Sequence, residues 1–398
     1  MKFIDSRERM RYNEKNVFAE DGAMNFSKLD AFMAQMPERG IPDCELSVTV
    51  DGKQVYRVSV GYADTEKTKP ASNVDLYWLY SATKVITCLG AMRMVEAGKL
   101  RLDDPVSKYL PEYGMLTVKE KDGSIHSAEN VMTVEHLFTM RGGLDYDITK
   151  EPIQTAIAGG GNTREIVRAM AESPLCFEPG THYLYSLCHD VLAGVIEVVS
   201  GMRFADYLDQ VFFAPLGIRD MGFHPNEEQL GRIVDMYRFH NGMGYAEPIP
   251  SINTYRLTEN YESGGAGLFG SVDEYMKIIT PIACGGTAEN GYRLLKPETI
   301  RLLQVNHLDE VAMEDMISTQ FGYGFGLCGR VHVNPTYSLC PSPVGEFGWS
   351  SATSHNVLID PKNRIAYHYA THLWGSNYGS RKIHPKIRDL IYEGIFDN

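Results

Sequence analysis

Hydrophobic and polar residues alternate along two short segments near the start of the chain. Residues 46–50 and 55–61 follow this period of two, and Asp51 and Gly52 lie between them. Alternation puts the apolar side chains on one face of a strand, and an Asp-Gly pair favours the tight turn of a β-hairpin. The pattern predicts an antiparallel sheet that begins here.

A helical period replaces this alternation after Ser81. Val85, Leu89 and Met92 fall three or four residues apart, which is the spacing of one apolar helix face. Gly98 follows the last of these turns and is a typical residue at the end of a helix. We therefore expect Ser81 at the start of a buried helix.

The rest of the chain divides into a helical middle and a strand-rich end. Between residues 100 and 250 the clearest helical periods are at 133–140, 163–172 and 190–200, whereas 119–130 indicates a protruding loop or small hairpin. A further helix is predicted at 272–280, followed by strands at 323–333, 356–359 and 365–370.

Strands at both ends and helices between them predict a mixed α/β fold of the α+β class. We expect an antiparallel sheet flanked by helices, together with a mostly helical lobe. The sheet-containing lobe would be discontinuous, formed by residues 1–98 and 255–398. Residues 99–254 would form the helical lobe, within one domain overall.

Composition narrows the classes of function. The 398 residues are 43% hydrophobic, which suits a large packed core, and the net charge of −13 disfavours nucleic acid as a partner. Residues 1–16 are charged and lack the apolar stretch of a signal peptide, and no run approaches the ~20 apolar residues of a membrane span. These features predict a cytoplasmic protein that binds neither membrane nor nucleic acid.

The cysteines indicate neither a disulfide framework nor a metal site. Their number is odd, they are widely spread, and none forms a CxxC pair. We expect reduced, mostly buried thiols, and no metal or cofactor. The seven cysteines are Cys44, Cys88, Cys176, Cys188, Cys284, Cys328 and Cys340.

The first chemical candidate is the SxxK pattern that Ser81 and Lys84 form. Residues three apart share a helix face, so the lysine amine could reach the serine hydroxyl. A lysine removed from water can accept a proton and activate a serine nucleophile. In the alternative interpretation, Ser81 only caps the helix and Lys84 is solvated.

Two further segments carry candidate chemistry. In the segment 179–187, Tyr183 and Tyr185 precede a helix, and a phenol beside a lysine is a plausible proton shuttle. Both tyrosines could instead pack only at the lobe interface. The segment 346–353 approximates the GxSxG elbow of α/β-hydrolases at Ser350, but the residues that follow it predict a strand and not the helix that an elbow needs.

Taken in order along nearly the whole chain, these segments resemble the serine β-lactamase-like family. This family includes class C β-lactamases, other penicillin-recognising serine hydrolases, family VIII carboxylesterases and related acyltransferases. The matching segments are the hairpin at 51–52 and residues 79–111, 132–144, 179–186, 265–273, 321–326 and 347–361.

The resemblance implies a role for each matched position. Ser81 corresponds to the nucleophile, Lys84 to its proton-accepting partner, and Tyr185, six residues after Pro179, to the tyrosine of the YxN motif. The backbone N–H groups of Ser81 and Ala352 would form the oxyanion hole.

Four residues around these positions are expected to contact the substrate. Leu187 replaces the asparagine of YxN, Trp349 replaces the lysine or histidine of the third motif, and Ser351 replaces its glycine, with Ser350 between the last two. A neutral indole cannot pair with the carboxylate of a penicillin. These departures favour uncharged esters over β-lactams.

The sequence therefore predicts a serine hydrolase that forms an acyl-enzyme on Ser81. The favoured activity is that of a carboxylesterase, or an acyltransferase, acting on small acyl esters. A β-lactamase or D-alanyl-D-alanine carboxypeptidase is the alternative among enzymes. A catalytically silent binding protein on the same fold is the alternative from another class.

Overall fold

The computed structural model describes residues 24–317 and 321–397. The prediction that residues 1–16 carry no signal peptide concerns a segment outside the described residues. Its α-helices are α1 (Ser27–Met33), α2 (Thr83–Glu96), α3 (Val134–Phe138), α4 (Glu151–Ala158), α5 (Thr163–Ala171), α6 (Cys188–Ser200), α7 (Phe204–Leu208), α8 (Ala214–Leu216), α9 (Glu227–Leu230), α10 (Val272–Ala283), α11 (Pro297–Leu303), α12 (Glu310–Ile317), α13 (Pro335–Ser338) and α14 (His384–Phe396).

The strands are concentrated towards the two ends of the chain. They are β1 (Asp43–Val50), β2 (Lys53–Gly61), β3 (Tyr77–Trp78), β4 (Thr117–Lys119), β5 (Ile125–Ser127), β6 (Met221–Gly222), β7 (Met236–His240), β8 (Tyr245–Ile249), β9 (Phe269–Gly270), β10 (Tyr323–Gly326), β11 (Gly329–His332), β12 (Phe347–Gly348), β13 (Asn356–Asp360), β14 (Ile365–Ala370) and β15 (Leu373–Trp374).

A seven-stranded antiparallel sheet joins the two ends of the chain. Its strand order is β10, β11, β12, β13, β14, β1, β2. The β1–β2 turn has φ angles of 51° at Asp51 and 80° at Gly52, as the predicted Asp-Gly hairpin requires. The expectation that both ends contribute to one sheet is confirmed.

The sheet is covered on both faces. Along β14, Tyr367 and Tyr369 belong to the core that includes residues of α1 and α14, whereas Ala366 and Ala370 belong to the core on the opposite face. Helix α10 packs against β14 and β1 on that opposite face. Alternation along the strands thus directs successive side chains into two cores.

The predicted helices of the middle region form close to their expected positions. Thr133 caps α3, since its side chain accepts a hydrogen bond from the backbone N–H of His136, and Asn162 caps α5 in the same way. Helix α2 is almost wholly buried against α6. The predicted mixed fold, an antiparallel sheet flanked by helices with a mostly helical lobe, is confirmed.

The middle of the chain also contains strands that the helical interpretation missed. Strands β7 and β8 form a hairpin at residues 236–249, and β15 pairs with β7 in parallel. Both strands are short, and Pro248 lies in the edge strand β8, where a missing N–H costs no ladder hydrogen bond. Strands β4 and β5 confirm the small hairpin expected within residues 119–130. The division of the chain into two lobes stays a prediction.

Candidate active site

Ser81 lies in a tight turn between a strand and a helix. Strand β3 leads into a 3₁₀ turn at Tyr80–Ala82, and α2 follows directly. Tyr80 has a φ of 45°, which is strained for a non-glycine residue, and its buried ring is anchored by a hydrogen bond from its hydroxyl to the Ile252 carbonyl at 3.0 Å. The turn leaves the Ser81 side chain partly exposed at the N-terminal end of α2.

Lys84 points its amine at Ser81 from inside the protein. Its Nζ atom is 3.4 Å from Ser81 Oγ, and the side chain is only 2% exposed. The same Nζ donates hydrogen bonds to the Gly265 carbonyl at 2.7 Å and to the Tyr146 hydroxyl at 2.6 Å. A solvated lysine does not fit this geometry, nor does Ser81 cap the helix with its side chain.

Tyr185 lies on the other side of the same amine. Lys84 Nζ is 4.8 Å from the centre of the Tyr185 ring, and Trp349 Nε1 donates a hydrogen bond to the Tyr185 hydroxyl at 2.9 Å. Tyr183, in contrast, is buried and packs against Phe325 with ring centres 5.4 Å apart. The structure thus brings Ser81, Lys84, Tyr185 and Trp349 together.

Tyr146 is a site residue that the sequence did not reveal. Its hydroxyl accepts the hydrogen bond from Lys84, and the centre of its ring lies 5.3 Å from that of Tyr185. Burial, with the neighbouring Tyr185 and Asp190, raises the pKa of Tyr146 well above its ordinary value. Its phenol therefore stays protonated. Its one indication in the sequence is its position two residues after Leu144, where a segment that matches the family ends.

Asp190 was also missed, and it lies behind the lysine. Its Oδ1 atom accepts hydrogen bonds from the Tyr261 hydroxyl at 2.6 Å, from Ser263 Oγ and from the Gly265 N–H at 3.3 Å. Its Oδ2 atom is buried without a hydrogen-bond partner among the described residues. A Cβ atom at Gly265 would lie 2.4 Å from this oxygen and 3.2 Å from Lys84 Nζ, so only glycine fits between them.

The third motif follows β12 and turns back into β13. Asn356 Nδ2 donates to Ser350 Oγ at 3.1 Å, and the Ser351 N–H donates to the His355 carbonyl at 3.0 Å. A strand, β13, follows this turn, so Ser350 does not lie on a nucleophile elbow. Ala352 is at the exposed tip of the turn, and its share in an oxyanion hole stays a prediction.

A family model described as Beta-lactamase matches residues 28–390. The chain belongs to this family. Esterase EstB of Burkholderia gladioli is 30% identical over 379 residues, which cover 87% of this chain and 90% of the esterase. A putative D-alanyl-D-alanine carboxypeptidase of Escherichia coli strain K12 is 24% identical, with 85% of this chain and 80% of the relative covered. The predicted family resemblance is confirmed.

Solved structures agree with this family membership. EstCE1, described as a hydrolase with promiscuous acyltransferase activity, superposes with a TM-score of 0.78 at 26% identity, covering 92% of this chain and 98% of its own. Simvastatin synthase (LovD) from Aspergillus terreus gives a TM-score of 0.79 at 23% identity, covering 94% and 100%, and supports the fold alone. Membership and these relatives make the chain an enzyme of the serine-hydrolase type.

Aromatic side chains surround the Ser81–Lys84 pair in this member of the family. Neighbouring rings are 5.1 to 6.3 Å apart from centre to centre, so they form one continuous surface. We call this surface the aromatic wall; its members are Tyr80, Tyr146, Tyr185, Tyr255, Phe325, Trp349 and Trp374. Tyr80 and Phe325 are buried and support the other five rings, which are partly exposed, so the wall suits an apolar substrate group.

Leu187 fits its predicted role less well than the residues of the third motif. Its side chain is 3% exposed and belongs to the hydrophobic core around α6, so it offers little surface to a substrate. Ser350 and Ser351 are partly exposed beside Trp349. Contact between substrate and any of these four residues stays a prediction.

Neither a metal cluster nor a membrane-spanning helix emerges from the part of the chain that the structure describes. Within it, no three His, Cys, Asp or Glu side chains are placed to hold a metal ion. No helix there is both long and apolar enough to cross a bilayer. All seven cysteines have free thiols, and Cys176 is exposed.

Proposed function

We propose that this chain is a carboxylesterase, or an acyltransferase that uses the same intermediate, and that it forms an acyl-enzyme on Ser81 with small, uncharged acyl esters. One observation carries the proposal. The buried amine of Lys84 faces the Ser81 hydroxyl, within an aromatic wall whose third-motif residue is the neutral Trp349.

Acylation begins with the Ser81 hydroxyl. A neutral lysine amine has two N–H groups, and the Gly265 carbonyl and the Tyr146 hydroxyl accept both, which leaves its lone pair facing Ser81 Oγ. Ser81 Oγ attacks the ester carbonyl carbon while its proton passes to Lys84 and Tyr185, which we assign jointly. The backbone N–H groups of Ser81 and Ala352 would stabilise the negative charge on the carbonyl oxygen.

Collapse of this intermediate releases the alcohol and leaves the acyl group on Ser81. The leaving oxygen takes the proton back from the Lys84–Tyr185 pair. Water then attacks the acyl-enzyme in a hydrolase, and a second alcohol or an amine attacks it in an acyltransferase. Both outcomes use the same residues, so the acceptor alone distinguishes them.

Trp349 favours an ester over a β-lactam. Penicillins and cephalosporins carry a carboxylate, which a cationic residue at the third motif would pair with. Here the indole N–H of Trp349 already donates a hydrogen bond to the Tyr185 hydroxyl at 2.9 Å. β-Lactamase or D-alanyl-D-alanine carboxypeptidase activity is the second candidate, favoured by the carboxypeptidase-like relative.

A silent binding protein is the candidate from another class. Such a protein has no need to bury a lysine, since burial of an amine is costly unless it is hydrogen-bonded. The convergence of Lys84 on Ser81, Tyr146 and Gly265 therefore supports catalysis.

Hydrolysis of p-nitrophenyl butyrate and of nitrocefin by the purified chain tests the proposal. We expect faster turnover of the ester, loss of this turnover in Ser81→Ala, and retention of most of it in Ser350→Ala. Ser350→Ala is the matched control because Ser350 is the other serine of a hydrolase-like motif. Full ester turnover in Ser81→Ala at an unchanged melting temperature would refute the proposal, whereas faster turnover of nitrocefin would favour the second candidate.

A further inference from the structure

A second nucleophile lies beside a base in the loop between β11 and β12. The Cys340 Sγ atom is 3.5 Å from His332 Nε2 and 3.8 Å from His332 Nδ1. Ser342 Oγ is 3.1 Å from the same sulfur, and the Tyr323 hydroxyl is 3.4 Å from it. With Ser338 Oγ at 3.3 Å, four polar side chains converge on one thiol.

The hydrogen bonds fix how the imidazole is protonated. His332 Nδ1 is 3.1 Å from the Pro343 carbonyl, which can only accept, so Nδ1 carries a proton. The lone pair of Nε2 then faces the Ser338 hydroxyl at 2.7 Å and the Cys340 sulfur at 3.5 Å, so Nε2 is the nitrogen that can take the thiol proton. The resulting N–H can donate to Ser338 Oγ at 2.7 Å, while the Ser338 hydroxyl donates to Cys340 Sγ at 3.3 Å. Every donor in this arrangement has an acceptor when the sulfur is an anion.

The surrounding charges also favour the thiolate. Burial alone raises the pKa of the Cys340 thiol, but the hydrogen bond from His332, the positive charge of Arg388 and the hydroxyls of Ser338 and Ser342 outweigh it and lower this pKa to about 6. Burial lowers the pKa of His332, but its hydrogen bond to Cys340, the charge of that sulfur, the Pro343 carbonyl and the charge of Glu346 together outweigh burial, so this pKa is raised.

Groups on every neighbouring element face this thiol. Glu346, which carries a negative charge near the thiol, is paired with Arg330 at 3.2 Å, and this pairing compensates its charge. The titratable and charged groups are His332 of β11, Tyr323 of β10, Arg388 of α14 and Glu346 next to β12.

The chain before Cys340 is strained and exposed. Leu339 has a φ of 54° and is 83% exposed although it is apolar. Cys340 itself is 8% exposed, so it lies just beneath the surface. Cys176 is the contrasting case: it is exposed, yet partial burial and the charge of Asp145 raise the pKa of its thiol.

We propose that Cys340 is a reactive thiolate that forms mixed disulfides with small-molecule disulfides, with His332 as its base. His332 Nε2 takes the thiol proton, and the Cys340 sulfur attacks one sulfur of the disulfide. A new S–S bond forms to Cys340 as the original S–S bond breaks, and the leaving thiolate takes the proton from His332. One disulfide and one thiol are consumed, and one of each is formed.

Pulse alkylation of the folded chain with iodoacetamide, followed by peptide mass spectrometry, tests this. At pH 6.5 we expect Cys340 to be labelled at least about tenfold faster than Cys176, despite its lower exposure, because only the thiolate reacts. Its labelling rate should be half-maximal near pH 6. Faster labelling of Cys176, or labelling of Cys340 only above pH 8, would overturn the proposal.

The His332→Gln variant tests the role of the base. We expect its Cys340 to be labelled about tenfold more slowly at pH 6.5, whereas His182→Gln, which alters an exposed histidine elsewhere, should leave this rate unchanged. If His332→Gln does not fold, the pH dependence in the unaltered chain decides. Bis(2-hydroxyethyl) disulfide should give an adduct on the Cys340 peptide that dithiothreitol removes; an adduct on other cysteines alone would contradict the proposal.

Discussion

Ser81 with Lys84 and Cys340 with His332 both place a nucleophile beside a nitrogen base, but the two pairs are built differently. In the first pair, the base lies one helical turn after the nucleophile, and neutral aromatic rings surround it. In the second pair, a loop folds the thiol back onto a strand end among hydroxyls and a guanidinium. The first base is a buried primary amine held by a backbone carbonyl and a phenol, and the second is an imidazole held by a backbone carbonyl and a hydroxyl.

The two pairs suit different chemistry. A serine hydroxyl is a weak nucleophile until a base takes its proton, so an amine held against Ser81 Oγ suits the proposed acyl transfer. A thiol needs only to ionise, so hydrogen-bond donors and cations around Cys340 suit the proposed disulfide exchange. Substitutions in each pair test this contrast.

Lys84→Met should have the largest effect. A thioether of similar length keeps the buried volume but cannot accept the Ser81 proton, so the rate of acylation should fall by about 10³-fold. The measurement is the pre-steady-state burst with p-nitrophenyl butyrate. A burst of unaltered rate would show that Lys84 is not the base.

Asp190→Asn should have the second-largest effect on ester turnover. The amide oxygen can keep the three hydrogen bonds of Oδ1, while the anion behind Lys84 is lost. We expect kcat/KM for p-nitrophenyl butyrate to fall about tenfold to a hundredfold, because the buried carboxylate behind the Lys84 amine is replaced by a neutral amide.

Asp209→Asn is the control for this substitution. It removes the same charge from an exposed position, and it should leave kcat/KM unchanged. An equal value of kcat/KM in both variants would mean that the charge of Asp190 has no specific role behind Lys84.

Trp349→Phe should have a smaller effect. The change keeps an aromatic ring but removes the N–H that donates to the Tyr185 hydroxyl. A single hydrogen bond of about 1 kcal/mol corresponds to roughly a fivefold loss in kcat. Trp374→Phe alters the aromatic wall without this hydrogen bond, so an equal loss in both variants would argue against a specific role for the indole N–H.

Cys340→Ala should have the smallest effect on ester turnover. The thiol is proposed to act separately from Ser81, so kcat/KM for p-nitrophenyl butyrate should stay within about twofold of the unaltered chain. A large loss of ester turnover at an unchanged melting temperature would show that the two pairs are coupled.

Local spacing explains what the sequence could predict. The Ser81–Lys84 contact follows from helix geometry, and the β1–β2 hairpin follows from alternation and its Asp-Gly turn. Tyr185 is different, since its match to the family's tyrosine motif, six residues after Pro179, places its ring against the Lys84 amine. In the first two cases a few neighbouring residues determine the geometry.

Contacts between distant segments explain what the sequence could not predict. Tyr146 and Gly265 reach Lys84 from segments more than 60 and 180 residues away in the chain, respectively, and no local pattern marks either contact. Asp190 resembles any acidic residue in the first turn of a helix. The motif position of Leu187 predicts that it faces the substrate. Its side chain instead packs into the core, which its position in the motif does not indicate.

Trapping the acyl-enzyme shows which residue carries the acyl group, and we propose that this residue is Ser81. The chain would be mixed with p-nitrophenyl butyrate, quenched in acid during the burst, and digested for peptide mass spectrometry. We predict one butyryl group, on the peptide that contains Ser81, and none on that peptide in Ser81→Ala. A butyryl group on the Ser350 or Cys340 peptide, with the Ser81 peptide unmodified, would contradict the account.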